Sequence, residues 1–445
     1  MRRIFSDYAY SSERIAGCFW AESVPDSRLA RPALQGAQKA DVAIIGAGFT
    51  GLSAALKLAQ AGVNAVVLDE HFPGWGASGR NGGFCCLGGS KLEDGFIDRA
   101  FGKQARLDWR QAEKGAIELV ADLLDLHRIE ADRHSNGETC LAHRAARADY
   151  EGEIRRAEEN YGVTPTVLGK DELAAHGMNG PFHGAITTPI GFGLNPRKYL
   201  AGLLAAAEQA GAVVHGHSPV RELSRQGNGW RVESAKGVLT CDQVIVATNG
   251  YSSEDMPDWM AGRYMPAQSS VIVTRPLTDD ELAAQGWTSD QAAYDSRRLL
   301  HYFRLMPDRR FLFGMRGGLM SSRWSEDGIA RQIRRDFDAM FPAWRHVETP
   351  HYWSGMVCLA ADLAPFCGPV PDMPGVFAGF AYHGNGVAMG SYTGALLADV
   401  VQGKTPDLIY PEVMKKPPGR FPLGRFRRAA MFAAYAGFWF TDRFA

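Results

Sequence analysis

The chain has almost no net charge, −1 from 48 basic and 49 acidic residues, so its overall electrostatics give no reason to expect nucleic acid. No apolar run reaches the length of a membrane span. The start, Met1-Arg2-Arg3 followed by Ile4-Phe5-Ser6-Asp7-Tyr8, lacks the continuous apolar stretch of a secretory signal. Cysteine is sparse: seven residues, an odd number, with no CxxC pair, and the adjacent Cys85 and Cys86 are badly placed to bond each other. That usage predicts reduced thiols and a cytoplasmic setting. A Ser-His-Asp nucleophile motif, HExxH, a P-loop and paired zinc knuckles are all missing, and no repeat of fixed period runs through the chain. His215 and His217 share one side of an extended segment but have no third ligand at metal spacing, so no metal site is expected. These absences are what is expected where a cofactor carries the hard step and the protein orients the substrate.

What is present is glycine, fifty residues in short groups, within a composition that is 46% hydrophobic and 22% charged. The length of 445 residues suffices for two domains, one of them discontinuous. The first glycine group closes Asp41-Val42-Ala43-Ile44-Ile45-Gly46-Ala47-Gly48-Phe49-Thr50-Gly51, an apolar strand running into a turn. Leu52, Ala55, Leu56 and Ala59 then fall at i, i+3, i+4 and i+7, which predicts a helix over 52–61. Strand, G-x-G-x-x-G and helix in that order form a site for a dinucleotide pyrophosphate. Gly46 permits the tight turn, Gly48 admits the phosphates, and Gly51 lets helix and strand pack closely. The free N–H groups and positive dipole end of the new helix, from Ala47 through Phe49 and Thr50, then face the anion. A second strand over 64–68 ends in Asp69-Glu70, near the offset at which a carboxylate meets ribose hydroxyls. Asp69 is the first candidate for that role and Glu70 the second.

The loop 74–83 follows directly, with five glycines in ten residues, too many for a stable helix or strand. Gly76, Ala77, Ser78, Arg80, Asn81, Gly82 and Gly83 would bring backbone and polar side chains close to a ligand. Gly-Ala-Ser-Gly-Arg-Asn-Gly-Gly after a G-x-G-x-x-G unit resembles the flavin enzymes grouped as D-amino acid oxidase-like or glycine oxidase-like. The likeness is strongest to the bacterial branch containing gamma-glutamylputrescine oxidoreductase. In relatives Gln often follows this loop, whereas Phe84 stands here, near the flavin ring. The resemblance covers most of residues 40–400. It implies FAD, and a fold that is α/β (α+β overall): a Rossmann-like FAD-binding domain with a discontinuous substrate domain on a mostly antiparallel sheet. On that basis 39–95, 191–254 and 353–408 form the FAD-binding domain and 96–190 and 255–352 the substrate domain. An N-terminal arm, 1–38, and a C-terminal tail, 409–445, flank them.

Residues 95–160 have a charged, helical pattern with Trp109, Ala112, Ile117, Leu123 and Leu124 as core candidates. Prolines and Tyr161 make 161–190 loops and short strands. Asn195-Pro196 caps and opens a helix with Leu200, Leu203, Leu204 and Ala207 on one face. A hairpin over 229–240 and a buried strand over 242–247 follow. By the resemblance Val220 meets the adenine region, and Ala247 and Thr248 lie by the cofactor. Alternating segments over 269–273, 299–304 and 309–314 predict antiparallel strands roofing the flavin. Tyr251, Tyr302 and Arg304 are catalytic candidates there, with Tyr264 and Arg316 also of interest. The stretch 376–390 repeats the strand–glycine–helix theme, but without an acid at nucleotide distance. The resemblance puts Gly384, Asn385, Gly386 and Val387 beside the flavin pyrimidine, with Asn385 where His is commoner and His383 as a further catalytic candidate. Some relatives attach flavin to a Cys near here; neither Cys358 nor Cys367 makes a convincing match, so non-covalent FAD is expected. The tail, with Lys415, Lys416, Arg420, Arg425, Arg427 and Arg428 before an aromatic run, packs on the body or a second subunit, or touches a membrane surface weakly.

The function implied is oxidation of a C–N bond in a small-molecule substrate: a gamma-glutamylputrescine-like amine, a D-amino acid or an N-methyl amino acid. Hydride passes to flavin N5, the imine is hydrolysed, and oxygen or a respiratory carrier takes the electrons. A nicotinamide-dependent flavin reductase and a non-catalytic or membrane-associated flavoprotein subunit are the alternatives.

Overall fold

Val42-Ala43-Ile44-Ile45 is apolar on both faces because the strand that holds it, Gly36–Ile45, is buried on both faces over these four residues. In the computed structural model, which describes residues 1–444, this strand lies at the centre of a parallel sheet. It pairs with Gly237–Val246 on one side and Ala65–Leu68 on the other, and Val213–His215 extends the sheet beyond the latter. Val376–Phe380 lies parallel to Gly237–Val246 on the far side. The second strand–glycine–helix passage thus belongs to the same sheet as the first. Val42 and Ile44 face the helices Phe49–Gln60 and Ala388–Val401, while Ala43 and Ile45 face the side of Trp230, Val232 and Leu239. The two helices touch closely: Ser53 Oγ donates to the Ser391 carbonyl at 2.8 Å, and a Cβ on Gly394 would fall on the Thr50 carbonyl.

A second sheet of eight strands stands over the carboxyl ends of this one. Its order is His351–Leu359, Met265–Val273, Phe311–Arg316, His301–Leu305, Ala292–Asp295, Glu138–Leu141, Gly184–Thr188 and Thr166–Gly169. Every neighbouring pair is antiparallel except Ala292–Asp295 with Glu138–Leu141. Phe303, Phe313 and Ile272 point from one face into an aromatic core with Phe337, Phe341 and Trp344. That core is completed by a helix, Arg323–Met340, in a region whose alternation had suggested only strands. Ile333, Phe337 and Met340 are its buried contacts, at i, i+4 and i+7, a helical spacing obscured by the surrounding charges. Glu138–Leu141 is likewise a strand inside the predominantly helical stretch 95–160.

Residues of the first thirty-five positions pack on the two sheets. Trp20 is buried, donates its indole N–H to the Asn81 carbonyl at 2.8 Å and meets Trp353 edge-on. Arg14 is buried in an ion pair with Glu326 at 3.2 Å. The predicted cap on Pro196–Gln209 is present, with Asn195 Oδ1 accepting from the N–H groups of Arg197 and Lys198, both at 3.1 Å. At the other end, helix Arg427–Phe444 packs on the body through Met431 and Tyr435. Arg427 is buried against Glu254 at 2.5 Å, and the Asp442 carboxylate accepts from the N–H groups of Arg298 and Leu299. The side chains of Arg425, Trp439, Arg443 and Phe444 lie outside the described residues. No described helix is long and apolar enough to cross a membrane.

Candidate active site

A continuous cavity of about 340 Å³ runs from the first glycine turn to the underside of the second sheet. At one end Gly46, at φ 108°, makes the turn, and Gly48 caps the helix Phe49–Gln60 without a side chain of its own. A Cβ on Gly48 would stand 2.8 Å from Ser78 Oγ, which accepts the Phe49 N–H at 3.0 Å and so ties the two glycine loops together. With no side chain at Gly48, the helix start turns its positive dipole end to an anion, as a dinucleotide pyrophosphate requires. Asp69 borders the same end. Its Oδ2 accepts from Ala47 N–H at 2.8 Å and its Oδ1 from His71 N–H at 2.9 Å, and burial pushes its carboxyl up. Each oxygen keeps a second lone pair for a ribose hydroxyl. Glu70, also on the cavity wall, is paired with Arg3 of the arm. Ser218 and Val220 complete this end.

The middle of the cavity is walled by the loop 74–83 and by the 384–387 turn. Arg80 is buried and donates to the carbonyls of Trp75, Gly76 and Ser354, with its guanidinium 4.3 Å over the Trp75 ring. Asn81 donates to the carbonyls of Ala77 and Ser78 and accepts from Gly83 N–H. Both side chains thus brace the loop with the donors that had been read as available to a ligand. Asn385 does the same for its own turn, donating to the Leu87 carbonyl at 2.6 Å. Tyr251 borders the cavity, stands edge-on to Trp75 and accepts the Met356 N–H at 3.2 Å.

The far end is one face of the second sheet. Residues directly opposite in neighbouring strands point the same way, as do positions two apart in one strand. Ser269 pairs with Arg316, Val271 and Tyr302 with Gly314, Tyr302 with Tyr294, and Glu138 with Ala292 two places from Tyr294. Register alone therefore gathers Ser269, Val271, Arg316, Tyr302, Tyr294 and Glu138 on one surface, and all of them line the cavity. Gly314 makes room for the Tyr302 ring, which lies over it and meets Phe84 edge-on. Tyr302 Oη and Ser269 Oγ are 2.9 Å apart.

Lys91 enters the same end from the chain after the second glycine loop. Burial, with Arg316 nearby, pushes its ammonium down to about 8. Burial pushes the Glu138 carboxyl up to about 7, against a hydrogen bond from Cys86 that favours its charged form. The folded chain then holds a proton on Glu138 between its ordinary value of 4.5 and about 7 that the unfolded chain has released. Stability from this group accordingly falls as pH rises through that window. Glu138→Gln is expected to flatten the decline, so the melting temperature of the variant relative to wild type should rise between pH 5 and pH 7.

Two of the catalytic candidates do not border the cavity. Arg304 shares the Tyr302 face, but its guanidinium is covered by Trp20 and Phe84 and donates to the Leu194 carbonyl at 2.7 Å and His134 Nε2 at 2.9 Å. It fastens strands together. His383 is buried, and burial pushes its imidazole down to about 3. The ring is held neutral and does not line the cavity. Ala47, Gly51 and Gly83 also stand behind the wall: Ala47 braces Asp69, while a Cβ on Gly51 or Gly83 would strike the Gly46 or Leu194 carbonyl. The remaining cofactor candidates, from Gly46, Gly48, Phe49 and Thr50 to Ala247, Thr248, Gly384, Gly386 and Val387, line it. Lys91, Glu138 and Tyr294 were missed, because a lone polar residue in a short strand or loop carries no local signal.

A family model described as FAD dependent oxidoreductase matches residues 41–400. The chain is 31% identical to the probable oxidoreductase OrdL of Rhizobium meliloti over 96% of this chain and 98% of that one. It is 29% identical to the gamma-glutamylputrescine oxidoreductase of Escherichia coli, over 89% and 91% respectively. Its fold matches the crystal structure of glycine oxidase from Geobacillus kaustophilus with a TM-score of 0.68 at 19% identity, covering 83% of this chain and 96% of that one.

Proposed function

Since the chain belongs to the family of FAD-dependent oxidoreductases, we propose that it oxidises the C–N bond of an amine or amino acid to an imine, which water then converts to a carbonyl and an amine. The observation that carries this reading is the continuous cavity: a dinucleotide cradle at one end opens into a pocket lined by Phe84, Tyr294 and Tyr302 at the other. Bound FAD supplies the two-electron acceptor for a hydride leaving the carbon next to nitrogen.

The chain's own residues hold and orient. Gly46, Gly48, Phe49 and Thr50 would receive the pyrophosphate, Asp69 a ribose, and Val220 the adenine side. Gly384 to Val387, at the start of helix Ala388–Val401, would meet the flavin's pyrimidine edge, where a helix N-terminus stabilises negative charge. Tyr251 and Tyr302 wall the pocket and exclude water from a deprotonated amine. Attachment is non-covalent in this reading. Cys358 borders the cavity, but burial pushes its thiol up to about 12 and keeps it protonated, and Cys367 is buried away from it. Gamma-glutamylated amines, D-amino acids and N-methyl amino acids are the substrate classes to try, with oxygen or a respiratory carrier as acceptor.

The test is anaerobic addition of a broad amine and amino-acid panel to the yellow holoprotein. Bleaching of the flavin by at least one compound, with colour restored by air or by a quinone, is the expected result. A flavin that no member bleaches would return the protein to the non-catalytic alternative, and one bleached only by NADH or NADPH would make it a reductase.

A further inference from the structure

The substrate end of the cavity holds an acid that its surroundings leave free to take or lose a proton. Glu138 opens the strand Glu138–Leu141, and register sets it on the sheet face that carries Tyr294 and Tyr302, lining the cavity. Its carboxyl accepts from the Cys86 thiol of the strand Phe84–Cys86, and Cys140 and Tyr294 adjoin it on its own sheet. Burial pushes both thiols and the Tyr294 hydroxyl up, so all three stay neutral. The charged neighbours are Lys91 and Glu113, and they oppose each other: the ammonium favours an ionised Glu138 and the carboxylate disfavours it. Lys91 is in turn held charged by both acids, against burial and Arg316. Burial therefore decides, and Glu138 exchanges its proton at about 7. Glu113 lies off the cavity in helix Lys103–Leu126, where Arg110 and Tyr161 each donate to its Oε2 at 2.8 Å. Asp69 and Glu70 border the cavity at the nucleotide end, held by backbone N–H groups and by Arg3. Glu138 is thus the carboxyl that the substrate end presents.

An alkylammonium ordinarily keeps its proton up to about pH 10, and in that form its nitrogen has no lone pair to expel a hydride from the neighbouring carbon. We propose that Glu138 is a catalytic residue: its carboxylate accepts a proton from the substrate's ammonium group, which is bound charged and oxidised as the neutral amine. This rests on the amine-oxidation reading and deepens it. One N–H bond breaks and one O–H bond forms on Glu138, leaving the electron pair on nitrogen. That pair becomes the second bond to carbon as the carbon loses a hydride, and with it two electrons, to bound FAD. The organic product is the iminium, and Glu138 afterwards returns its proton to water. Lys91 is a positioning residue in this step, since its charge favours the carboxylate that can accept.

The test follows anaerobic bleaching of the flavin in the holoenzyme by gamma-glutamylputrescine, N-methylglycine and D-alanine across the pH range. With a compound that bleaches wild type, the rate should rise with pH through about 7, as Glu138 ionises. Glu138→Gln is expected to lower the second-order rate of bleaching about 100-fold near neutral pH, the share of a positioned acid–base group, with FAD content unchanged. The loss should shrink toward about pH 10, where free amine is abundant and needs no acceptor. Glu138→Asp should keep the wild-type profile at a lower rate, and Lys91→Gln should move the rise to higher pH. The inference falls if Glu138→Gln loses the same factor at every pH, for the residue then shapes the pocket or holds the ammonium without taking its proton. It falls equally if the variant matches wild type near neutral pH. Should Glu138→Gln lose FAD, the Lys91→Gln profile decides, and an unmoved rise overturns the inference. Bleaching with a pH-independent defect removes this inference alone. No bleaching of wild type by any of the three compounds removes the amine-oxidation reading, and the role of Glu138 with it.

Discussion

Gly51→Ala is expected to yield protein that has lost FAD, with affinity reduced at least about 100-fold and stability lowered by about 3 kcal/mol or more, above the usual cost of an overfilled core. The added Cβ would fall on the carbonyl oxygen of Gly46 and stand 3.2 Å from Ile44 Cγ2. The first obstacle is backbone, so no change of rotamer relieves it, and the helix must move away from the strand. That movement opens the turn on which Gly46 and Gly48 depend. The ratio of flavin to protein absorbance and a thermal melt measure both effects. Gly152→Ala provides the control: Gly152 lies in helix Glu151–Tyr161 with open space around it, so alanine should stabilise slightly and leave FAD in place.

The second large effect is expected at Gly314. A Cβ there would fall on the ring of Tyr302, which also stands 2.7 Å, at Cε2, from a Cβ added to Gly82. Two glycines make room for the ring where the glycine loop and the second sheet meet. Gly314→Ala should drive the ring into the pocket and lower kcat/KM about 100-fold, some 2.7 kcal/mol of transition-state stabilisation. FAD content should remain near wild type, because the nucleotide end lies on the other sheet. Tyr302→Phe keeps the shape and loses only the contact with Ser269 Oγ, and is expected to stay within about 10-fold of wild type.

These two sites differ in how far the sequence discloses them. The nucleotide end is local: strand, turn, helix and acid follow one another within thirty residues, and the reason for each glycine is steric and nearby. Phe49–Gln60, Ala65–Leu68 and the capped helix Pro196–Gln209 all stand close to where periodicity and capping put them. The substrate end depends on pairing. Glu138 meets Tyr302 and Arg316 only through the strand order Glu138–Leu141, Ala292–Asp295, His301–Leu305 and Phe311–Arg316, and nothing in the residues around Glu138 announces that register. Arg304 shows the complementary error. It occupies the same face as Tyr302, two residues further along, but Trp20 from the distant N-terminal arm and the Leu194 carbonyl close over it. His383 sits one residue from a cavity-lining glycine, yet is buried. In both cases chain proximity to the site was informative and side-chain exposure was not, because exposure is decided by segments far away in sequence.

A single anaerobic turnover with a substrate found to bleach the flavin, followed by quantification of the products, checks whether a C–N bond is oxidised in the pocket that adjoins the FAD cradle. One carbonyl compound and one amine or ammonia per flavin bleached is the expected result. Bleaching without a carbonyl product, or a carbonyl formed while the flavin stays oxidised, would contradict it.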